Sequence, residues 1–250
     1  MASSILITGA SSGLGSALAL AYARPGAALH LGGRDPDRLE RVAEACRDRG
    51  AEVFAEPGCV TDRTAMAEWV ERSDGRQPLD LVIANAGISA GTHGGDEGAD
   101  QVRAIFAVNV DGVVNTVMPA IPGMKRRRRG RIAIMSSLAG FRGFPGAPAY
   151  CASKALVRVW GEGLRGQLAP DGITVSVVCP GFVETPMTAV NTFAMPLLMD
   201  AGRAATLIVG GLERGRGRIA FPWPMHVLAR LAGCLPSGVM DALGRKMPRK

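Results

Sequence analysis

Three histidines, two tyrosines and five cysteines are all that this 250-residue chain carries of those types, and aromatic residues make up only 5% of it. His30, His93 and His226 lie far apart and form no ligand motif, so the spacing argues against a metal site. Cys46, Cys59, Cys151, Cys179 and Cys234 are odd in number, scattered and without a Cys-x-x-Cys pair. That pattern excludes a disulfide framework and suits reduced thiols in a cytoplasmic setting. The uncharged start, residues 1–23, lacks a basic flank, and Gly9, Ser11, Ser12, Gly13 and Gly15 interrupt it. It therefore reads as strand, turn and helix, not as a signal segment or a membrane span, and no other stretch is expected to span a bilayer. The 33 glycines have no three-residue period, which excludes collagen. Charged residues at 20% beside 47% hydrophobic exclude a disordered chain.

What is present is a chain long enough for one full hydrophobic core. Its net charge of +7 is uneven. Residues 125–131 hold six cations and no acid, residues 213–250 hold eight cations and two acids, and the remainder is mildly acidic. The run Lys125-Arg126-Arg127-Arg128-Arg129 sits at an expected helix end with no aromatic platform beside it. It reads as a solvated basic corner that complements the helix dipole, and nucleic acid is not expected as a partner.

Short apolar strands alternate with helical patterns along the chain. Strands are expected at residues 4–8, 27–32, 52–56, 79–84, 131–135, 173–178 and 218–221. Between them, helices are expected at 14–24, from Pro36 onward behind the cap Asp35, around 65–70, at 99–118, 149–168 and 201–211. This rhythm implies right-handed βαβ units and one doubly wound parallel sheet of about seven strands, with helices on both faces. We read residues 1–221 as one Rossmann-like domain and 222–250 as its helical C-terminal extension.

Two local constellations carry chemistry. Strand 4–8 runs into Thr8-Gly9-Ala10-Ser11-Ser12-Gly13-Leu14-Gly15, which opens a helix. A glycine turn in that context lets a phosphate approach the backbone and meet the helix N-terminus. Farther on, Tyr150 and Lys154 stand four apart on an expected helix, so phenol and ammonium share one face. A neighbouring cation is expected to lower a tyrosine pKa from its usual value near 10.

With these motifs in order, the sequence resembles the short-chain dehydrogenase/reductase family, in its compact branch, to about residue 188. Asn85-Ala86-Gly87 ends a strong strand, Asn109 lies in Asn-Val-Asp-Gly, and Ser137 stands thirteen residues before Tyr150. Pro180-Gly181-Phe182-Val183-Glu184-Thr185 follows the sixth strand. The resemblance implies a hydride-transferring oxidoreductase acting on a small carbonyl or secondary-alcohol substrate. Tyr150 would be its general acid or base and Lys154 the group that tunes it. Ser137 would hold the substrate oxygen, and Asn109 would position a water in the proton relay. Ser136 is the alternative hydroxyl, and a helix kink the alternative role for Asn109. The implied cofactor site comprises Thr8, Gly9, Ser11, Ser12, Gly13, Leu14, Gly15, Arg34, Val60, Asn85, Ala86, Gly87, Tyr150, Lys154, Pro180, Gly181, Val183 and Thr185. A non-catalytic dinucleotide sensor is the rival reading; the intact Asn, Ser, Tyr and Lys set argues against it.

The second strand ends Gly33-Arg34-Asp35, where an arginine suits the 2′-phosphate of NADP(H). NADP(H) is thus the expected cofactor and NAD(H) the second choice, with Asp35 read as a helix cap. Cys59 stands where family members often carry an adenine-contacting aspartate, and Asp62 reads as another cap. Met187, Phe193, Met195, Leu197, Leu198 and Met199 suggest an apolar substrate surface. Beyond Pro222-Trp223-Pro224, which ends the last strand, helices are expected at 225–231 and 238–243. The tail is expected to pack on its own domain or on a mate in a homodimer or homotetramer; contact with a membrane surface is the lesser alternative.

Overall fold

The computed structural model describes residues 2–90, 96–191, 193–236 and 238–239. In chain order its strands are β1 (Ser4–Thr8), β2 (Ala28–Gly33), β3 (Glu52–Pro57), β4 (Leu81–Ala84), β5 (Gly130–Met135), β6 (Ile173–Pro180) and β7 (Arg218–Phe221). They form one parallel sheet in the order β3-β2-β1-β4-β5-β6-β7. The helices are α1 (Gly13–Tyr22), α2 (Pro36–Arg47), α3 (Arg63–Arg76), α4 (Ala99–Phe106), α5 (Gly112–Val117) and α6 (Ala120–Arg127), then α7 (Pro148–Leu168), α8 (Pro186–Ala189), α9 (Ala201–Glu213) and α10 (Trp223–Cys234).

Strand side chains alternate between faces, and here both faces are apolar. Ile5 and Ile7 enter one core with Leu29, Leu31, Leu18 of α1, Leu39 of α2 and Ile208 of α9. Leu6 enters the other with Val82, Ile132, Trp69 of α3, Val113 of α5 and Val157 of α7. Each such buried aliphatic side chain contributes roughly 1.5–3 kcal/mol. Successive units run outward from β1 through β2 to β3, then reverse from β4 to β7. The reversal opens a crevice at the carboxyl ends of β1 and β4, which is where ligands bind such sheets.

Caps behave as the sequence suggests. Asp35 accepts from Arg38 N at 2.9 Å and Asp62 from Ala65 N at 3.0 Å. Two expectations need correction. The helix expected over 99–118 is interrupted by a π-helical turn, Ala107–Asp111, because Asn109 turns its amide out of the helix toward the loop after β4. Pro222-Trp223-Pro224 also does more than end β7. Trp223 and Pro224 already begin α10, since a first-turn proline needs no N–H, and the helix runs to Cys234. The second tail helix, expected at 238–243, lies outside the described residues apart from Gly238 and Val239. His93 lies outside them as well.

The helical stretch Ala99–Arg127 is long and apolar enough to cross a membrane by composition, contrary to expectation. Its apolar side is used inside the molecule: Val113, Val117, Ala120, Ile121 and Met124 are buried in the second core. The basic run that follows is largely ion-paired. Lys125 meets Asp171 at 2.9 Å, Arg127 grips Asp74 with two bonds and Arg129 meets Asp80 at 2.9 Å.

Candidate functional site

The crevice holds a cavity of about 430 Å³, within the usual size range of small-molecule sites. One end is the glycine turn between β1 and α1. Gly9 has φ +66°, and a side-chain carbon there would meet Ala86 Cα at 2.8 Å. At Gly15 such a carbon would strike the Gly9 carbonyl oxygen at 2.1 Å. Only glycine lets the two strand ends and the helix approach this closely. Asn85 ties them together, donating from Nδ2 to Thr8 O at 2.9 Å and to Gly9 O at 3.3 Å. Thr8 Oγ1 accepts from the backbone N–H of Asn85 and Ala86. The Ser12 side chain does not cap α1, and the first turn, Gly13 to Gly15, lines the cavity with N–H groups that lack a helical partner. Thr185, at the start of α8, closes against the turn; a side-chain carbon on Gly13 would come within 3.1 Å of it.

The other end carries the titratable groups. Ser137 caps the 3₁₀ turn Leu138–Phe141, accepting from Ala139 N at 3.1 Å and donating to Pro180 O at 3.4 Å. Tyr150 and Lys154 project from α7, the ammonium 5.7 Å from the tyrosine ring centroid. Lys154 is buried and donates from Nζ to Met135 O at 2.9 Å. Burial lowers its pKa to about 8. Burial also pushes the Tyr150 phenol up to about 12, with the neighbouring Ser137 hydroxyl acting the other way. The expected lowering of the tyrosine by Lys154 is not present in this structure: loss of water around the phenol dominates, and Lys154 is not among the groups that shift it. Ser136, the alternative hydroxyl, is buried and donates to Lys154 O at 2.7 Å, whereas Ser137 keeps the position beside Tyr150.

Asn109 is fully buried. It donates to Ile88 O at 2.9 Å and Ser153 Oγ at 3.0 Å, and it accepts from Ile88 N at 2.8 Å. These bonds fasten the loop after β4 to α7. A carbon placed on Gly87 would lie 3.2 Å from Asn109 Oδ1 and 3.3 Å from Lys154 Nζ, so glycine keeps the space between them open. Among the described residues no cluster of His, Cys, Asp or Glu could hold a metal ion.

A family model described as short chain dehydrogenase matches residues 3–194. This chain belongs to the short-chain dehydrogenase/reductase family. It is an oxidoreductase of that family with a Rossmann-type NAD(P)-binding fold. It is 39% identical over 243 residues to an uncharacterized oxidoreductase of Myxococcus xanthus, covering 97% of this chain and 96% of the relative. An uncharacterized oxidoreductase of Mycobacterium tuberculosis is 36% identical over 237 residues, 93% of each chain. Among solved structures, a short-chain dehydrogenase from Sphingobium yanoikuyae in complex with NADPH superimposes with a TM-score of 0.81 at 27% identity, covering 98% and 96% of the two chains. The 3-oxoacyl-[acyl-carrier protein] reductase of Brucella melitensis gives 0.76 at 28% identity, covering 86% and 89%.

The short-chain dehydrogenase fold brings every cofactor-site residue named from the sequence to the wall of this one cavity, together with Ser137. Asn109 stands just behind the wall. Arg34 is exposed at the mouth beside Cys59, whose thiol pKa is lowered by its bonds to Thr61 and by the Arg34 charge. Asp35 has its carboxylate occupied by Arg38, with Nε at 2.6 Å. The apolar segment expected at the substrate divides: Met187 lines the cavity, Met199 packs on the first core, and Leu197 and Leu198 are exposed. Phe193 meets the Phe182 ring at 6.0 Å.

Sequence reasoning missed Arg38, which joins Arg34 at the mouth; its position in the first turn of α2 was the available signal. It also missed Ser153, which links Asn109 to the Tyr150 carbonyl. Glu97 was missed too; its Oε2 accepts from Ala149 N at 2.9 Å at the start of α7. No local pattern announces a contact between residues so far apart.

Proposed function

We propose that this short-chain dehydrogenase moves a hydride between NADP(H) and a small, hydrophobic carbonyl or secondary-alcohol substrate. One observation supports the reading most: Ser137, Tyr150 and Lys154 open into the same cavity as the glycine turn. The turn and the uncapped start of α1 fit a pyrophosphate, and the glycine cradle would be filled by any side chain. A bound nicotinamide would supply or take up the hydride.

In reduction, Ser137 hydrogen-bonds the carbonyl oxygen and Tyr150 gives it a proton as negative charge develops there. Lys154 restores the proton to the phenol through the open space beside Gly87, where Asn109 Oδ1 orients a water. Oxidation runs the same steps backward. Arg34, with Arg38 near it, supports NADP(H) over NAD(H), because the carboxylate that would otherwise seek a ribose hydroxyl is held by Arg38. The free thiols support a cytoplasmic, reducing location, and a homodimer or homotetramer is the proposed assembly.

The test is a panel of ketones, aldehydes and alcohols followed at the nicotinamide absorbance with both cofactors. Tyr150→Phe should lower turnover on the order of 10²–10⁴-fold while cofactor affinity holds. Arg34→Ala should cost NADPH about 10–100-fold in kcat/KM and NADH little. Unchanged turnover in the first variant, or wild-type kcat/KM favouring NADH, sinks the respective part.

A further inference from the structure

Helix α10 wears its apolar residues on the outside. None of its residues is buried, and Trp223, Leu228 and Leu231 are 75%, 65% and 59% exposed. Successive residues of a helix turn by about 100°, so Trp223, Val227, Leu231 and Leu228 share an outward arc of about 140°. The opposite side is the one that docks. Met225 and Ala229 pack on Leu138, Val177 and Cys179, and His226 meets the edge of Phe141 at 5.5 Å. Past the helix, Leu235 and Val239 are exposed as well.

Arginines stand beside this strip, and in the sequence residues 242–250, outside the described ones, hold Arg245, Lys246, Arg249 and Lys250 and no acid. Arg230 projects from α10 itself, and Arg142 donates to Leu235 O at 3.3 Å. An apolar strip with a tryptophan, rimmed by cations, matches the interface of an anionic bilayer: the side chains enter the acyl boundary and the cations meet headgroup phosphates. A second copy fits less well, because a two-fold pairing of this face would bring Arg230 and Arg142 of both copies together.

We propose that α10 is a peripheral anchor that seats the protein on an anionic lipid surface, with the carboxyl edge of the sheet toward the membrane. The test uses the full chain and co-sedimentation with vesicles of phosphatidylcholine alone, or with roughly a third phosphatidylglycerol. Wild type should sediment with the anionic vesicles only, and less at high salt. The exposed double variant Leu228→Glu/Leu231→Glu should bind roughly tenfold more weakly, with its thermal melt and turnover unchanged. Absence of vesicle binding overturns the proposal, as does equal binding to neutral vesicles or an unaffected double variant. Light scattering supplies the rival outcome: a dimer that the double variant splits, without vesicle binding, assigns the face to a second copy and overturns the anchor.

Discussion

Lys154 and Tyr150 respond in opposite directions to the same burial. The ammonium becomes easier to deprotonate, near pH 8, and the phenol harder, near pH 12. Across the neutral range the Tyr150 phenol therefore stays protonated, and of the two groups Lys154 is the one that titrates. In the proposed relay the Lys154 ammonium is charged below its pKa and lost as pH rises through about 8. Carbonyl reduction should accordingly show a kcat/KM that falls above about pH 8, while alcohol oxidation rises over the same span; a pH-rate profile in both directions checks this. His30 is a second titrating residue, away from the site. It is fully buried on β2, stacked on Phe54 at 5.1 Å with both ring nitrogens unpartnered, and burial lowers its pKa to about 4. Arg76 adds to that lowering. Since the unfolded histidine titrates near 6.5, the fold is stable with His30 neutral and loses stability as pH falls from about 6.5 toward 4, by roughly 3 kcal/mol. His30→Phe should flatten that acid limb in urea titrations at a series of pH values.

At the scale of elements, the placement of Ser137 depends on how one short turn is fastened. The 3₁₀ turn that follows Ser137 packs directly on α7: a side-chain carbon on Gly140 would meet the Lys154 backbone at 2.8 Å. Arg158, one helical turn beyond Lys154, donates to Gly140 O at 3.3 Å, and its guanidinium lies 4.7 Å from the Phe141 ring centroid. Glu162 steadies it and also pairs with Arg218, which lies 5.5 Å from the same ring centroid. Arg158 is thus a positioning residue for Ser137. Arg158→Ala should lower kcat roughly tenfold while leaving KM for NADPH unchanged, and Arg158→Lys should restore part of the loss. Steady-state kinetics that moved the cofactor KM instead would assign Arg158 to the binding end.

For the molecule as a whole, the cofactor cavity is a joint between two halves of the sheet, closed by Thr185 against the glycine turn. A ligand held there joins the halves and should stabilise the entire fold. NADPH at about a hundred times its Kd contributes about 2.7 kcal/mol, which for a chain of this size raises Tm by about 5–10 °C. Tyr150→Phe should keep that rise. Gly9→Ala should remove it, because its φ of +66° and the 2.8 Å approach to Ala86 leave no room for a methyl group. A thermal melt with and without NADPH distinguishes the two.

The features the sequence determined by itself are those whose physics is local. The period of apolar residues marks strands and helices, the acid before a helix marks Asp35 and Asp62 as caps, and the glycine turn is legible in its own eight residues. Tyr150 and Lys154 meet because a helix brings every fourth residue together. Tertiary structure decided what depends on distant neighbours. Asn109 distorts its helix because Ile88, from the loop after β4, is there to be bonded. Tyr150 titrates upward because the assembled walls remove water that no local motif describes. Met187 and Met199 read alike in the chain, yet one lines the cavity and the other packs in the core. For α10, the pattern foretold a helix, but only the docking of Met225, His226 and Ala229 settled which side faces out. Periodicity carries the spacing of side chains, while burial and long-range contact exist only after the chain has closed on itself.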